Sequence, residues 1–152
     1  MALEIERKFL VNGQPWQGLI GQRLQQGYLN RDKARTMRVR IAGDTAWLTI
    51  KGASQGAVRN EFEYPIPVAD AHTLLTLCDG PLIDKTRYRI PHANLVWEVD
   101  VFHGDNAGLV VAEVELADEH QAIALPDWVG AEVTHDVRYF NSALAQHAYK
   151  YW

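Results

Sequence analysis

Hydrophobic and polar residues alternate along most of the chain, with the two-residue period of a β-strand. In residues 4–11, Glu4, Glu6 and Lys8 share one face, while Ile5 and Phe9 occupy the other. The same period predicts seven further strands, at residues 23–30, 36–42, 45–51, 58–66, 83–90, 95–102 and 109–116. The chain is therefore predicted to be rich in strands joined by short connections.

Three segments carry helical signals instead. Residues 68–78 place Leu74, Leu75 and Cys78 at helical spacing, with Asp70 near the start. Residues 118–125 predict a short helix that ends at Pro126, and residues 138–152 predict a helix over most of their length. Residues 15–20 predict a short turn or helix, and turns are predicted at 43–44 between two strands and at 103–108.

Short connections between consecutive strands favour antiparallel pairing. Eight antiparallel strands in one small domain favour closure into a barrel, because closure removes the unpaired edges of an open sheet. We therefore predict an α+β, mainly β fold. It is an eight-stranded antiparallel closed barrel with a charged lumen, with a few helices packed outside, and residues 1–152 form one domain.

Composition narrows the class of protein. The chain has 152 residues and a net charge of −4, which argues against a nucleic-acid partner. No apolar run has the length of a membrane helix, and the start lacks the pattern of a signal peptide. A single cysteine, Cys78, excludes an internal disulfide, so a reducing cytoplasm is predicted.

The charged faces of the strands carry acids and bases in separate blocks. Arg38 and Arg40 share one strand face, whereas Glu113 and Glu115 share another. Two interpretations remain open, since these faces could meet water or line a closed barrel. The blocks favour the lumen, because an open sheet has no structural need for them. Unpaired charges in a confined lumen are costly, so they must be matched internally or by ligands.

A lumen of this kind suits a polyanion together with a divalent metal ion. Arginine and lysine hold phosphate oxygens. Paired carboxylates hold Mg²⁺, which prefers oxygen ligands and bridges to phosphates.

Several motifs occur in a fixed order over nearly the whole chain. E-x-E-x-K near the start (Glu4, Glu6, Lys8) is followed by R-V-R, by K-G with a later R-x-E-x-E, by K-T-R-Y, and by W-E-V-D with a later A-E-V-E. Together they resemble the CYTH superfamily, the triphosphate tunnel metalloenzymes, in its short bacterial form. The resemblance implies an eight-stranded tunnel that holds triphosphate together with Mg²⁺ or Mn²⁺, with two ions expected.

The resemblance also implies roles for individual residues. The phosphate ligands would be Lys8, Arg38, Arg40, Lys51, Lys85 and Arg87. The catalytic carboxylates and main metal ligands would be Glu4, Glu6, Glu113 and Glu115. A secondary acidic set would be Glu61, Glu63, Glu98 and Asp100. Arg59 and Tyr28 are further candidates, although Tyr28 has the alternative role of a packing residue.

The implied function is metal-dependent hydrolysis of inorganic triphosphate to pyrophosphate and phosphate. The alternatives are a class IV adenylate cyclase, a thiamine triphosphatase, a non-catalytic sensor of polyphosphate or nucleotides, and a barrel whose salt bridges serve structure alone. The many carboxylates disfavour the sensor, since an anion binder gains nothing from them without metal. The expected partner is a small-molecule triphosphate, with no membrane contact. The aromatic C-terminal tail (Tyr149, Tyr151, Trp152) suits either a barrel end or a homodimer interface.

Overall fold

A computed structural model of the chain describes residues 3–152. Over these residues the strands are β1 (Leu3–Val11), β2 (Gln22–Asn30), β3 (Arg35–Ala42), β4 (Thr45–Gly52), β5 (Val58–Ile66), β6 (Asp79–His92), β7 (Leu95–Phe102), β8 (Val110–Glu115) and β9 (Val129–Glu132). The helices are α1 (Val68–Thr76) and the single turn α2 (Asn141–Leu144). Short 3₁₀ turns occur at Gly104–Asn106, Val137–Tyr139 and Tyr149–Tyr151.

Eight of the strands close into an antiparallel barrel. The hydrogen-bonded order is β5-β4-β3-β2-β6-β7-β8-β1, and β1 pairs back onto β5 to complete the circuit. The first half of β1 makes this closing pair, with Glu4 opposite Arg59. The second half pairs with β9, which is the ninth strand of the sheet. The predicted closed, mainly β fold is therefore confirmed.

The eight predicted strands and the first predicted helix are all present, with shifts at their ends. The largest shift is in β6, which begins at Asp79 rather than at residue 83. The predicted turn at residues 43–44 joins β3 to β4, with Gly43 at a φ of +60°. Glycine suits this turn because the left-handed backbone conformation carries no side-chain clash there.

Two predicted helices are wrong, and one strand was not predicted. Residues 118–125 form turns and irregular structure, and Ile123 packs against the outside of the barrel. The C-terminal segment is broken into α2 and two 3₁₀ turns, and Tyr139, Leu144 and Tyr149 from these pieces all pack on the cluster at the barrel end. Strand β9 has four residues, too few for the sequence to show a period of two.

Two apolar clusters lie outside the barrel wall. One joins the outward residues of β1, β7 and β8, including Phe9 and Trp97, to the covering segment that contains Trp128. The other joins Val39 and Ile41 of β3 to Ala71 of α1. The outward faces of the strands thus supply a core against their covering elements, as the alternation predicts.

A third apolar cluster fills one end of the barrel. Ile83, Phe102 and Val111 are on the inward faces of β6, β7 and β8, and they pack around Leu144 and Ala145 of the C-terminal segment. Further along the same faces the residues become charged. The lumen is therefore blind at this end, which we call the closed end, and open at the other, which we call the mouth.

Among the helices of residues 3–152, none has both the length and the apolar character needed to span a lipid bilayer.

Candidate active site

The charged faces of the strands point into the barrel and surround a cavity of about 260 Å³. Seven carboxylates line it, namely Glu4, Glu6, Glu61, Glu63, Glu98, Glu113 and Glu115. Seven basic side chains also line it, namely Lys8, Arg38, Arg40, Lys51, Arg59, Arg87 and Arg89. Tyr28 contributes to the wall as well. Strand alternation combined with closure thus brings together acids and bases from seven strands.

Most of the acids that line the cavity form one continuous wall across β7, β8 and β1. Glu98 lies directly opposite Glu113, and Glu6 lies directly opposite Glu115. Like charges at directly opposed positions of neighbouring strands repel each other. Burial, together with the charges of Glu4, Glu6 and Glu98, raises the pKa of Glu115. The acidic wall therefore has an excess of negative charge at its centre.

Ion pairs link this wall to the bases. Lys51 Nζ lies 2.7 Å from Glu4 Oε2 and 3.4 Å from Glu61 Oε2. Lys8 Nζ lies 3.7 Å from Glu113 Oε1. By contrast, Glu115 has no basic partner within 4.0 Å among residues 3–152. Basic side chains therefore neutralise the carboxylates of the acidic wall unevenly, and Glu115 is the carboxylate with the least neutralisation.

Two of the predicted site residues point into the barrel but lie deeper than the cavity, toward the closed end. Lys85 and Asp100 are almost fully buried and are 2.8 Å apart, and neither lines the cavity. Arg87 donates two hydrogen bonds to Asp100, of 2.7 and 2.9 Å. Burial opposes the charge of Asp100, but Arg87 and Lys85 outweigh it and hold its pKa below the usual range. Asp100 thus fixes Arg87, which does reach the cavity.

Lys85 is more easily deprotonated than the neighbouring Arg40 and Arg87. Burial lowers the pKa of Lys85 to about 7, and the positive charges of Arg87 and Arg40 lower it further. The negative charge of Asp100 raises this pKa but does not outweigh them. Its ammonium also donates a hydrogen bond of 3.3 Å to Asn141 Oδ1. Lys85 therefore connects the barrel wall to the C-terminal segment instead of facing the cavity.

Arg40 is held by a neutral partner. Its Nε donates a 2.8 Å hydrogen bond to Gln26 Oε1, and no carboxylate of residues 3–152 lies within 4.0 Å of it. Burial, with Arg38 and Arg87, lowers the pKa of Arg40 to about 9, so it is still protonated at pH 7. Gln26 thus orients this guanidinium without neutralising it.

Some lining residues were not predicted from the sequence. Phe140, Asn141 and Ser142 of the C-terminal segment lie at the closed end of the cavity, where Lys8 Nζ is 4.9 Å from the centre of the Phe140 ring. No periodic pattern links residues 140–142 to a barrel built more than twenty residues earlier. The lining residues Thr36 and Thr49 could have been found, because they share strand faces with predicted residues. The same holds for Gln26, which does not line the cavity but bonds Arg40.

The acids provide oxygen ligands of the type that a divalent cation prefers, but their side chains do not converge on one metal position. Within residues 3–152, no group of three His, Cys, Asp or Glu side chains is placed to share one metal ion. The carboxylates are turned toward bases instead, as Glu4 is toward Lys51. The repulsion between Glu6 and Glu115 is nevertheless of the kind that an oxygen-bound cation relieves.

Comparisons with known proteins point to one protein family. The family model described as CYTH domain matches residues 2–149. A protein of Acetivibrio thermocellus named inorganic triphosphatase is 47% identical over 152 residues, covering 99% of this chain and 97% of that protein. A protein of Nitrosomonas europaea with the same name is 40% identical over 147 residues, covering 93% of this chain and 96% of its own.

Solved structures show the same architecture. A crystal structure of an inorganic triphosphatase matches with a TM-score of 0.68 at 38% identity, covering 93% of this chain and 96% of the other. A protein from Pyrococcus furiosus matches with a TM-score of 0.58 at 16% identity, covering 77% of this chain and 80% of its own, which speaks for the fold alone.

Proposed function

The chain belongs to the CYTH domain family, and from this membership and its charged blind tunnel we propose that it hydrolyses inorganic triphosphate to pyrophosphate and phosphate. One observation carries the proposal, namely that seven carboxylates and seven basic side chains face one another in a single cavity. Two relatives at 47% and 40% identity over nearly their full length are named inorganic triphosphatase, which supports the same conclusion.

The bases that line the cavity are proposed to bind the phosphate chain. These are Lys8, Arg38, Arg40, Lys51 and Arg87, with Arg59 as a further candidate. Arg38 supports this role, because its buried Nε has no hydrogen-bond partner among residues 3–152. A buried donor without a partner is costly, and an anionic oxygen would satisfy it. We propose that Asp100, paired with Lys85, acts from below the cavity by holding Arg87 in place.

The acidic wall is proposed to bind two ions of Mg²⁺ or Mn²⁺. The main ligands would be Glu4, Glu6, Glu113 and Glu115. A bound divalent cation would neutralise phosphate charge and lower the pKa of a coordinated water. Glu61, Glu63 and Glu98 would complete the acidic set by balancing bases and positioning water. Glu63, for example, accepts a 3.2 Å hydrogen bond from Thr49.

Water is the proposed nucleophile. Among residues 3–152, no histidine or cysteine lines the cavity, so the lining offers neither a cysteine nucleophile nor a histidine base for covalent chemistry. Hydrolysis of a phosphoanhydride depends mainly on positioning and on neutralising charge, which a lumen of ordered arginines and carboxylates supplies. The closed end shields one end of the substrate from bulk solvent.

The test is a parallel assay of purified protein with Mg²⁺ or Mn²⁺. Tripolyphosphate, ATP and thiamine triphosphate are supplied separately, and phosphate and cyclic AMP are measured. We expect phosphate release from tripolyphosphate at the highest kcat/KM. Cyclic AMP as the main product from ATP would establish the cyclase instead, and metal-dependent binding without turnover would establish a sensor.

Two variants connect the assay to the cavity. Arg40→Ala is expected to raise the KM for tripolyphosphate, because it removes a cation that no carboxylate neutralises. The control is Arg23→Ala, since Arg23 lies on the outer surface and pairs with Asp84. An equal KM for the two variants would remove Arg40 from the substrate site. Glu113→Gln is expected to abolish metal-dependent turnover while the far-ultraviolet circular dichroism stays unchanged.

A further inference from the structure

The barrel wall parts at the place where β1 changes its pairing partner. Within residues 3–152, β1 pairs with β5 over Leu3–Ile5 alone, and the next link is a 3.2 Å hydrogen bond from the Glu6 amide to the Ala57 carbonyl. Two residues further on, the Lys8 amide donates instead to Thr134 Oγ1, at 3.0 Å. A gap is therefore left between the β4–β5 connection and the segment that follows β9.

A small crevice of about 20 Å³ occupies this gap, and we call it the side crevice. It shares four residues with the tunnel cavity, so the two spaces adjoin. Ser54 and Gly56 in its lining are exposed to solvent, so the side crevice leads from the tunnel to the protein surface. The shared residues are Glu6, Lys8, Arg59 and Phe140, and the others are Ser54, Gly56, Ala57 and Thr134.

Phe140 stands between the side crevice and the tunnel cavity, because it borders both. Lys8 Nζ lies 4.9 Å from the centre of its ring, and Arg59 Cζ lies 5.9 Å from it. Both distances are within the range of a cation–π attraction, which holds the ring in place. Since Phe140 belongs to the C-terminal segment at the closed end, the side crevice meets the cavity at that end.

The size and lining of the side crevice suit a water molecule. A space of about 10–15 Å³ is enough to hold one water, provided that polar groups surround it. The hydroxyls of Ser54 and Thr134 and the carboxylate of Glu6 supply such groups. A phosphate ion is too large for a space of about 20 Å³. The side crevice therefore admits water and excludes the substrate.

A triphosphate bound in the tunnel needs a second route for water. It enters through the mouth, because Leu144 and Ala145 fill the other end. Its deepest phosphorus would then be the one nearest Phe140 and Ser142, and the rest of the chain would separate that atom from the mouth. The attacking and leaving oxygens at phosphorus lie roughly in line. When pyrophosphate leaves toward the mouth, the water must therefore attack from the closed end.

We propose that the side crevice delivers the attacking water to the deepest phosphorus of a bound triphosphate. The inference rests on the proposed function, because it assigns a route to the water of that hydrolysis. The water oxygen bonds to phosphorus while the bridging P–O bond breaks, and the bridging oxygen keeps the electron pair as part of pyrophosphate. One proton of the water stays on the orthophosphate formed, and pyrophosphate takes up the other.

The first experiment obstructs the side crevice from outside. Ser54→Trp is expected to lower the kcat for tripolyphosphate about tenfold and to leave KM within about twofold, because it restricts water without replacing a phosphate ligand. Ala53→Trp is the matched control, since Ala53 is exposed on the same connection but does not line the crevice. Equal kcat values for the two variants, or a change in KM alone, would overturn the proposal.

The second experiment obstructs and reopens the crevice in one folded protein. Ser54→Cys is made together with Cys78→Ala, so that residue 54 carries the only thiol. Benzyl methanethiosulfonate adds a bulky group to this thiol, and dithiothreitol removes it. We expect kcat to fall on modification and to return on reduction. Complete modification that leaves kcat unchanged would contradict the proposal.

Two further measurements separate the delivery of water from the release of phosphate. In a single turnover quenched with acid, Ser54→Trp is expected to slow the formation of phosphate itself. Formation at the wild-type rate followed by slow release would make the crevice an exit and would refute the proposal. In water labelled with ¹⁸O, the label is expected in orthophosphate, whereas label in pyrophosphate would place the attack at the central phosphorus and refute it as well.

These assays distinguish the failure of this proposal from the failure of the proposed function. If the wild-type protein releases no phosphate from tripolyphosphate, both are wrong. If the wild type hydrolyses tripolyphosphate and Ser54→Trp behaves like Ala53→Trp, only the role of the side crevice is wrong.

Discussion

Glu6 and Glu115 lie directly opposite each other on β1 and β8, and both carboxylates face the cavity. Such a pair costs stability unless something positive lies between its members. The barrel has seven basic side chains around the same cavity, yet none lies within 4.0 Å of Glu115 in the described part of the chain. A cation bound between Glu6 and Glu115 would therefore relieve the strongest uncompensated repulsion in the acidic wall.

The first prediction concerns Glu115→Gln. The pKa of Glu115 is raised, so the folded protein binds its proton more tightly than the unfolded chain does. The stabilisation from this proton is present below the unfolded pKa near 4.5 and is lost as the pH rises through the folded pKa. Without metal, the variant should equal the wild type near pH 4 and be slightly more stable at pH 7, by less than about 1 kcal/mol because the side chain is partly solvated.

The same variant should lose activity that depends on Mg²⁺ or Mn²⁺. We also expect Mn²⁺ to raise the melting temperature of the wild type but not that of the variant. Urea denaturation with a chelator and thermal melting with Mn²⁺ make the two measurements. Glu119→Gln is the control, because Glu119 lies on a loop outside the cavity. A variant that is less stable than the wild type at pH 7 would show that Glu115 serves the fold.

The second prediction concerns Asp100, which is 1% exposed and neutralises Arg87 and Lys85. Asp100→Asn leaves the buried Arg87 without its two-hydrogen-bond partner and removes the carboxylate that favours the charged form of Lys85, and breaking a buried ion pair typically costs about 3–5 kcal/mol of unfolding free energy. Urea denaturation at pH 7 measures the loss. Glu132→Gln is the control, because the Arg7–Glu132 pair is near the surface and is worth about 1 kcal/mol or less. Equal losses would mean that solvent reaches Asp100.

The third prediction concerns Gln26, which holds Arg40 by a single 2.8 Å hydrogen bond. Gln26→Ala should raise the KM for tripolyphosphate about tenfold with a smaller change in kcat, because a hydrogen bond to a charged group is lost and the guanidinium is no longer oriented. Gln26→Glu should raise the KM at least as much, because a carboxylate neutralises Arg40. A lower KM in Gln26→Glu than in Gln26→Ala would contradict the role of a neutral partner.

The fourth prediction concerns the closed end. Leu144 is 1% exposed and packs against Ile83 and Phe102. Leu144→Ala should lower the free energy of unfolding by about 2–5 kcal/mol, because it leaves a cavity in this cluster. Val137→Ala is the control, since Val137 is 44% exposed and should lose much less. Similar midpoints in urea for both variants would show that the C-terminal segment does not fill the barrel.

The strands were predictable because their signal is local. Alternation in segments such as Leu95–Phe102 and Val58–Ile66 specifies a strand within eight or nine residues, whatever the rest of the chain does. The helix at residues 118–125 was predicted on equally local grounds and is absent. There the covering of the barrel decided the outcome, since Ile123 packs on the outer cluster from an irregular segment.

The candidate site was predictable as a set of residues, but not as an arrangement. Sequence grouped Lys85 and Asp100 with the residues of the cavity, because they share strand faces with Arg87 and Glu98. The structure buries both below the cavity, toward the closed end, where they pair with each other. Depth along a barrel depends on how neighbouring strands are staggered, and alternation within one strand carries no information about stagger.

By itself, the sequence determined which side chains share a face and that the charged faces come in acidic and basic blocks, because a strand has a fixed period of two. Only the tertiary structure decided that these faces point inward, that the acids of β7, β8 and β1 form one wall, and that Leu144 closes one end. These are properties of strands and segments far apart in the chain, and they come into being only when β1 pairs with both β8 and β5.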